Sequence, residues 1–379
     1  MLYYIFFQWL YKTLGIGGES IFYKGLNVFQ YVTFRTTWAT ITALLISLLL
    51  GGPVIRKLRR LNIGQEIREE LSQEHQEKKG TPTMGGVLIL GAVFISTMLW
   101  ARLDSLYVWL AVVATASFGM IGFLDDYIKI VKKRSLGLTG RQKLIGQLAT
   151  TAVVWGFMFY MSDYPWNLSI PFFKQTAISQ ITNIGPYIYL VFMAFVLLGS
   201  SNAVNLTDGL DGLATSVGLI AMGAITALTY ATSDARWAAY LDLTQIPEAA
   251  ELTVFCGAMV GAALGFLWYN APPAEVFMGD VGSLAIGGAL GTVAILTKQE
   301  FILIFIMGVF IIEALSVIVQ VSFFKFTKKT TGTGKRLFLQ SPIHHHFQLA
   351  GWKEPKIVFR FVIVAILFAL MSLSTLKLR

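Results

Sequence analysis

The sequence predicts an all-α polytopic integral membrane protein of about ten transmembrane helices, and three observations carry that expectation. Of 379 residues, 55% are hydrophobic and only 13% charged, against roughly 25% charged in a soluble globular domain. Apolar runs of about 20 residues, the length needed to span a hydrocarbon core, recur along the whole chain. The net charge is +9, but its basic residues sit in the loops between those runs, as membrane topology requires and a nucleic-acid groove would not. No nucleic-acid partner is therefore expected. The one cysteine, Cys256, lies inside an apolar run, which excludes an intrachain disulfide and a cysteine-based zinc site.

Taken in order, residues 1–32 read as an interfacial or periplasmic segment, rich in Tyr, Phe and Trp and interrupted at Gly15, Gly17 and Gly18. No basic n-region precedes them and no A-x-A site follows, so they do not read as a signal peptide. Residues 33–379 read as a single ten-helix membrane domain. Its expected spans are 33–54, 83–101, 106–124, 145–162, 186–201, 213–231, 251–269, 281–297, 301–322 and 358–376. The third span ends in Asp125-Asp126, the seventh is stopped by Pro272-Pro273, and Asp280 heads the eighth. Between the fourth and fifth, residues 163–185 hold β-branched and turn residues that suit a small periplasmic hairpin.

Ten spans put both termini on one side, and the positive-inside rule chooses which. Loops 55–82, 125–144 and 323–357 hold twenty of the 30 Lys and Arg residues and share one face. That face is expected to be cytoplasmic, with both termini outside. Loops 199–212 and 269–280, which lack Lys and Arg, fall on the same face. Acidic islands and basic loops thus collect on one cytoplasmic surface.

Those islands carry the chemistry. In SNAVNLTDGLDGLA, residues 201–214, Asn202, Asn205, Asp208 and Asp211 form a polar island between two apolar runs. Polar groups so near lipid are costly and tend to be functional, although an inter-helix loop with an Asp N-cap fits the same residues. In GFLDDYIKIVKK, residues 122–133, Asp125 and Asp126 repel unless a cation lies beside them, and on a helix Lys129 comes within reach of both. A helix-end ion pair is the plainer alternative. In WYNAPPAEVFMGDVGS, residues 268–283, Asn270 stands beside the proline break. Asp280 there is either an N-cap or a third carboxylate of a hard-cation site, and Mg²⁺ favours such oxygens and shares substrate phosphates. Phe277 suits base stacking or plain packing. In SPIHHHFQLAGW, residues 341–352, His344, His345 and His346 are three of the protein's four histidines. Imidazoles there suit hydrogen bonding or proton transfer beside phosphate, whereas one zinc ion could not take all three. In KKGTPTMGG, residues 78–86, Lys78, Lys79, Thr81 and Thr83 suit a phosphate-binding turn without the Walker order, and also suit a basic membrane flank.

Taken together and in this order, KKGTPTMGG, DDYIK, NAVNLTDGLDGLA, NAPPAEVFMGDVGS and SPIHHHF resemble the phospho-N-acetylmuramoyl-pentapeptide transferase (MraY) family, within the polyprenyl-phosphate N-acetylhexosamine-1-phosphate transferase superfamily. The resemblance spans residues 33–379. It implies a Mg²⁺-dependent enzyme of ten helices, a homodimer in the bacterial inner membrane. That enzyme would move phospho-N-acetylmuramoyl-pentapeptide from its UDP donor to undecaprenyl phosphate, giving lipid I and UMP. By resemblance, Asp280 is the leading Mg²⁺ ligand. Asp125, supported by Asp126, deprotonates or positions the lipid phosphate, or attacks as a nucleophile. Asn205, Asp208, Asp211 and Asn270 line the nucleotide–sugar site with Phe277 near uracil. Lys78, Thr83, Lys129 and Lys133 contact phosphate or uridine. His345 and His346 contact the diphosphate or shape the sugar end, with His344 either alongside them or structural. The alternatives are a polyprenyl-phosphate N-acetylglucosamine-1-phosphate transferase, disfavoured by PTMGG and SPIHHHF, and an ion-coupled transporter. The transporter is disfavoured because the acids lie at span ends and no internal repeat is visible.

Overall fold

A computed structural model describes residues 1–13, 25–61, 80–132, 136–161, 163–171 and 183–377. Within them, helices stand at all ten expected spans. They are α1 (Val32–Arg60), α2 (Gly86–Trp100), α3 (Leu106–Val131), α4 (Gly140–Met161), α5 (Gly185–Thr207) and α6 (Leu213–Ser233). After the short α7 (Ala235–Tyr240) come α8 (Ala250–Asn270), α9 (Gly279–Leu296), the five-residue α10 (Ile302–Ile306), α11 (Gly308–Thr331), α12 (Ile343–Leu349) and α13 (Glu354–Ser374). Among the described residues, nine helices are long and apolar enough to cross a membrane. The second, α2, is apolar but has 15 residues, about 22 Å at 1.5 Å per residue.

Three boundaries differ from expectation, and each difference matters. Helix α3 runs to Val131 rather than stopping at 124, because Lys129 pairs with both Asp125 and Asp126 within helical spacing. Helix α5 runs to Thr207, so Asn205 is helical and aimed by the helix. The ninth span is broken at Met307, and α11 then continues to Thr331, since no helix breaker occurs before Gly332.

The bundle is built around α9, in which every residue from Val281 to Leu296 is buried. Its Gly- and Ala-rich sequence lets α2, α3, α5 and α6 pack directly against it. At one crossing, a Cβ on Gly122 of α3 would fall 2.1 Å from the Asp280 carbonyl oxygen. Helix α8 packs in turn on α1 and α6. Outer helices present apolar side chains away from the core, among them Leu49, Phe195, Ile318 and Phe359.

The end of α9 remote from Asp280 holds buried charge of its own. Lys298 lies over the rings of Tyr164 and Tyr189 and donates to the Asn167 carbonyl at 2.7 Å. Burial pushes its ammonium down to about 8 and pushes the Glu300 carboxyl up. At the same end, Arg35 of α1 forms a two-pronged ion pair with Glu251 of α8, at 2.5 and 2.7 Å. Tyr3, from the helical segment Tyr3–Thr13, packs on the Arg35 guanidinium. Much of the region expected to form a hairpin lies outside the described residues; what is described there is one antiparallel bridge, Asn167 to Asn183.

Candidate active site

The C-terminal turns of α3 and the first turn of α9 meet at one end of the bundle. Asp125, Asp126 and Asp280 converge there, with one oxygen of each lying within 4.8 Å of the others. Asp125 and Asp126 are buried, and the Asp280 side chain keeps 17% of its surface. Three carboxylates this close need cations. Lys129, one turn along α3, lies 2.6 Å from Asp125, 3.2 Å from Asp126 and 3.4 Å from Asp280. Lys143, from the first turn of α4, lies 2.6 Å from Asp280 and 3.2 Å from Asp125. The Leu138 N–H donates to Asp125 Oδ1 at 2.7 Å, so the segment entering α4 is tied to the same carboxylate.

From α5, Asn205 Nδ2 donates to Asp280 Oδ1 and to Ser283 Oγ, each at 2.9 Å. This orients the Asp280 carboxylate from the side opposite the lysines. Thr83 Oγ1 and Asp126 Oδ2 both adjoin Gly279, which takes a φ of +72°; a Cβ there would lie 2.9 and 2.5 Å from them. Backbone pairing secures that junction: Phe277 N donates to Pro82 O, and Gly85 N and Gly86 N donate to Phe277 O and Met278 O. Asp208, just past α5, is part-buried. Burial, then the Asp280 and Asp126 carboxylates, push its carboxyl up to about 8.

Two residues expected on the substrate serve the scaffold in this structure. Asn270 is buried, accepting from Thr215 Oγ1 at 2.6 Å and donating to Val276 O at 3.0 Å. Asp211 is buried too; its Oδ2 accepts from Ala274 N at 3.0 Å, while its own N–H donates to Glu354 Oε1 at 2.7 Å. Both hold the loop 271–278 that carries Phe277, which is part-exposed. The physical reason is that loop backbone buried near a helix bundle must find partners, and these short polar side chains supply them.

The three histidines diverge, as consecutive residues on α12 must. His344 has no exposed surface and lies 3.1 Å from Glu313 of α11. His345 Nδ1 is 2.8 Å from Gln348 Oε1. His346 Nδ1 accepts from Leu339 N at 3.2 Å, so a neutral His346 carries its proton on Nε2. Lys78 and Lys133 lie outside the described residues.

Sequence reasoning placed Lys143 only among topology-setting charges. Its signal was its spacing: Lys143 and Gln147 share a helix face at i and i+4, and Gln147 is a buried amide that accepts from Asn202 Nδ2 at 3.1 Å. Glu313 and Glu354 were also missed, the first although it is the lone acid in an apolar span.

The donor set suits a hard divalent cation. All its atoms are carboxylate oxygens, and Asp125 Oδ2 is buried without a hydrogen bond, 2.6 Å from the Lys129 ammonium. This is the chemistry of Mg²⁺ rather than of a soft metal.

The family model described as glycosyl transferase family 4 matches residues 108–298, and signature 1 of phospho-N-acetylmuramoyl-pentapeptide-transferase matches residues 78–90. The phospho-N-acetylmuramoyl-pentapeptide-transferase of Desulfatibacillum aliphaticivorans is 54% identical over 353 residues, covering 93% of this chain and 96% of its own. That of Koribacter versatilis is 52% identical over 93% of this chain and 95% of its own. That of Solibacter usitatus is 47% identical over the full length of both.

Proposed function

From the premise that this chain belongs to the phospho-N-acetylmuramoyl-pentapeptide-transferase family, we propose that it transfers phospho-N-acetylmuramoyl-pentapeptide from its UDP donor to undecaprenyl phosphate. The products are UMP and lipid I, and the reaction is the first membrane step of peptidoglycan synthesis. The observation that carries the mechanism is the knot of Asp125, Asp126 and Asp280 with Lys129 and Lys143.

Both substrates are anionic phosphates, so the protein must gather cations and hold the reacting groups in line. Asp280, aimed by Asn205, leads the carboxylates that would hold Mg²⁺, with Asp125 and Asp126 beside it. Mg²⁺ bound there would neutralise the donor diphosphate and polarise the bond to the leaving UMP. Lys129 and Lys143 are free to exchange a carboxylate contact for a phosphate oxygen as substrate enters. Asp125, anchored by the Leu138 N–H, accepts the proton of the lipid phosphate or orients it for attack on the sugar phosphate. Asn205 and Asp208 face the sugar–nucleotide side, Phe277 offers a ring to uracil, and Thr83 with Lys78 and Lys133 meet phosphate or uridine. His345 and His346 serve the diphosphate end, with His346 Nε2–H a donor.

The same reading places the site on the cytoplasmic face of a bacterial inner membrane, with both termini outside. Residues 33–379 work as one membrane domain behind the segment 1–32, and the protein works as a homodimer among membrane lipids. Twenty basic residues on one set of loops support that orientation.

The test is release of UMP by the purified full-length chain given undecaprenyl phosphate, Mg²⁺ and either UDP-N-acetylmuramoyl-pentapeptide or UDP-N-acetylglucosamine. Transfer from the pentapeptide donor, lost in Asp280→Asn without loss of folding, is the expected result. Transfer from UDP-N-acetylglucosamine alone would overturn the assignment in favour of the related N-acetylglucosamine-1-phosphate reaction.

A further inference from the structure

Glu313 is the single acidic residue of α11, set among Ile311, Ile312, Ala314 and Leu315, and it has no exposed surface. A carboxylate buried in an apolar helix is costly unless it is partnered, so its partner shows what it is for. That partner is His344, also without exposed surface, whose Nδ1 lies 3.1 Å from Glu313 Oε2. The contact is one of proximity and charge: among the described residues, no hydrogen bond reaches either Glu313 oxygen or either His344 nitrogen. Each is the other's polar partner.

The far side of the His344 ring faces a different element. A Cβ built on Gly209 would fall 2.3 Å from His344 Nε2 and 2.9 Å from His344 Cε1. The ring is therefore pressed against the backbone of the Asp208–Gly212 turn, one residue from Asp208. A second acid grips the same turn: Glu354, at the start of α13, accepts from the Asp211 N–H at 2.7 Å. Glu313 and Glu354 lie on the helices flanking α12, so the short histidine helix is bracketed by two acids, one meeting this turn through His344 and the other directly.

We propose that Glu313 is a positioning residue for the transfer reaction: it clamps His344 against Gly209 and so seats the histidine helix, with His345 and His346, on the Asp208–Gly212 turn. Glu313 is sealed from the site and touches no substrate. It acts through His344, and its effect on turnover rests on the transferase reading above; the seating of the helix does not.

The experiment combines hydrogen exchange with steady-state kinetics on the detergent-solubilised full-length chain. In Glu313→Ala, amides of 340–349 and 207–212 are expected to exchange about tenfold faster, with α9 unchanged. The kcat for UMP release is expected to fall about tenfold or more with little change in donor KM, as misplacement of catalytic groups would produce. Glu313→Gln, which keeps a polar oxygen of the same size beside His344, should recover most of the protection and rate. Glu313→Ala/His344→Ala should be no slower than the slower single variant, because both remove one clamp. Gly209→Ala, whose methyl must displace the ring, should reproduce the exchange signature.

Unchanged exchange in both segments of Glu313→Ala overturns the clamp, whatever the activity. Losses that multiply in the double variant overturn action through His344. If the wild-type chain releases no UMP, the transferase reading fails, while the exchange result still decides the clamp.

Discussion

Lys143 Nζ stands 2.6 Å from Asp280 Oδ2, a contact between residues 137 positions apart in sequence. It makes Lys143 one of two ammonium groups shared by three carboxylates, the other being Lys129. Replacing Lys143 with Met raises the local negative charge by one. A divalent cation should then bind more tightly, while an anionic diphosphate loses a partner. The expected outcome is a kcat/KM for UMP release lower by about 100-fold, as for loss of an oriented charge stabiliser, together with a lower half-saturating Mg²⁺ concentration. Lys143→Arg should keep part of the rate. A Mg²⁺ titration that does not move would show that Lys143 is not electrostatically joined to the cation site.

Asp208 allows a test by pH. Its carboxyl is held up to about 8 by burial and by the Asp280 and Asp126 carboxylates. A raised acid pKa means that the folded state holds the proton more firmly than the unfolded chain. Its contribution to stability is complete below the ordinary carboxylate pKa of about 3.9 and is lost as pH rises through about 8. With divalent cations chelated, the melting temperature of the wild type should therefore fall between pH 6 and pH 9. Asp208→Asn, which stays neutral, should fall less. Parallel curves for the two proteins would remove Asp208 as a source of the pH dependence.

The fold was legible because apolar run length is set by the bilayer: each expected span holds a helix, and the errors lie at the ends. Those ends were misjudged where charges within a helix pair with one another, as in α3, whose Asp125, Asp126 and Lys129 read as a loop by hydropathy. The site was legible as residue types on one face, and Asp125, Asp126, Lys129, Asn205 and Asp280 do meet. Roles were less legible. Nothing in a one-dimensional pattern separates an Asn that aims a carboxylate, as Asn205 does, from one that closes a loop, as Asn270 does. That distinction depends on which backbone groups are left without partners once the helices have packed. Lys143 was hidden for a related reason, since its partner Asp280 is remote in sequence and only the α3–α4–α9 packing brings them together.

The last prediction concerns the opposite end of the bundle. Arg35 is 2% exposed and grips Glu251 with both terminal nitrogens, while Glu251 Oε2 also accepts from the Arg102 N–H at 2.9 Å. The pair joins the start of α1 to the start of α8, two helices packed along much of their lengths. Removing one member of a buried pair leaves the other charged and unpaired, at a cost of about 3–5 kcal/mol. Arg35→Met should therefore lower the thermal unfolding temperature in detergent sharply. Arg35→Met/Glu251→Met replaces both charges with apolar side chains and should lose much less, because only two uncharged backbone groups, the Arg102 N–H and the Trp100 carbonyl, then lose a partner. At temperatures where each variant remains folded, kcat should match the wild type, since Glu251 begins the helix whose far end, at Asn270, reaches the site. A double variant as unstable as Arg35→Met would mean that the site needs the shape of the pair rather than the balance of its charges.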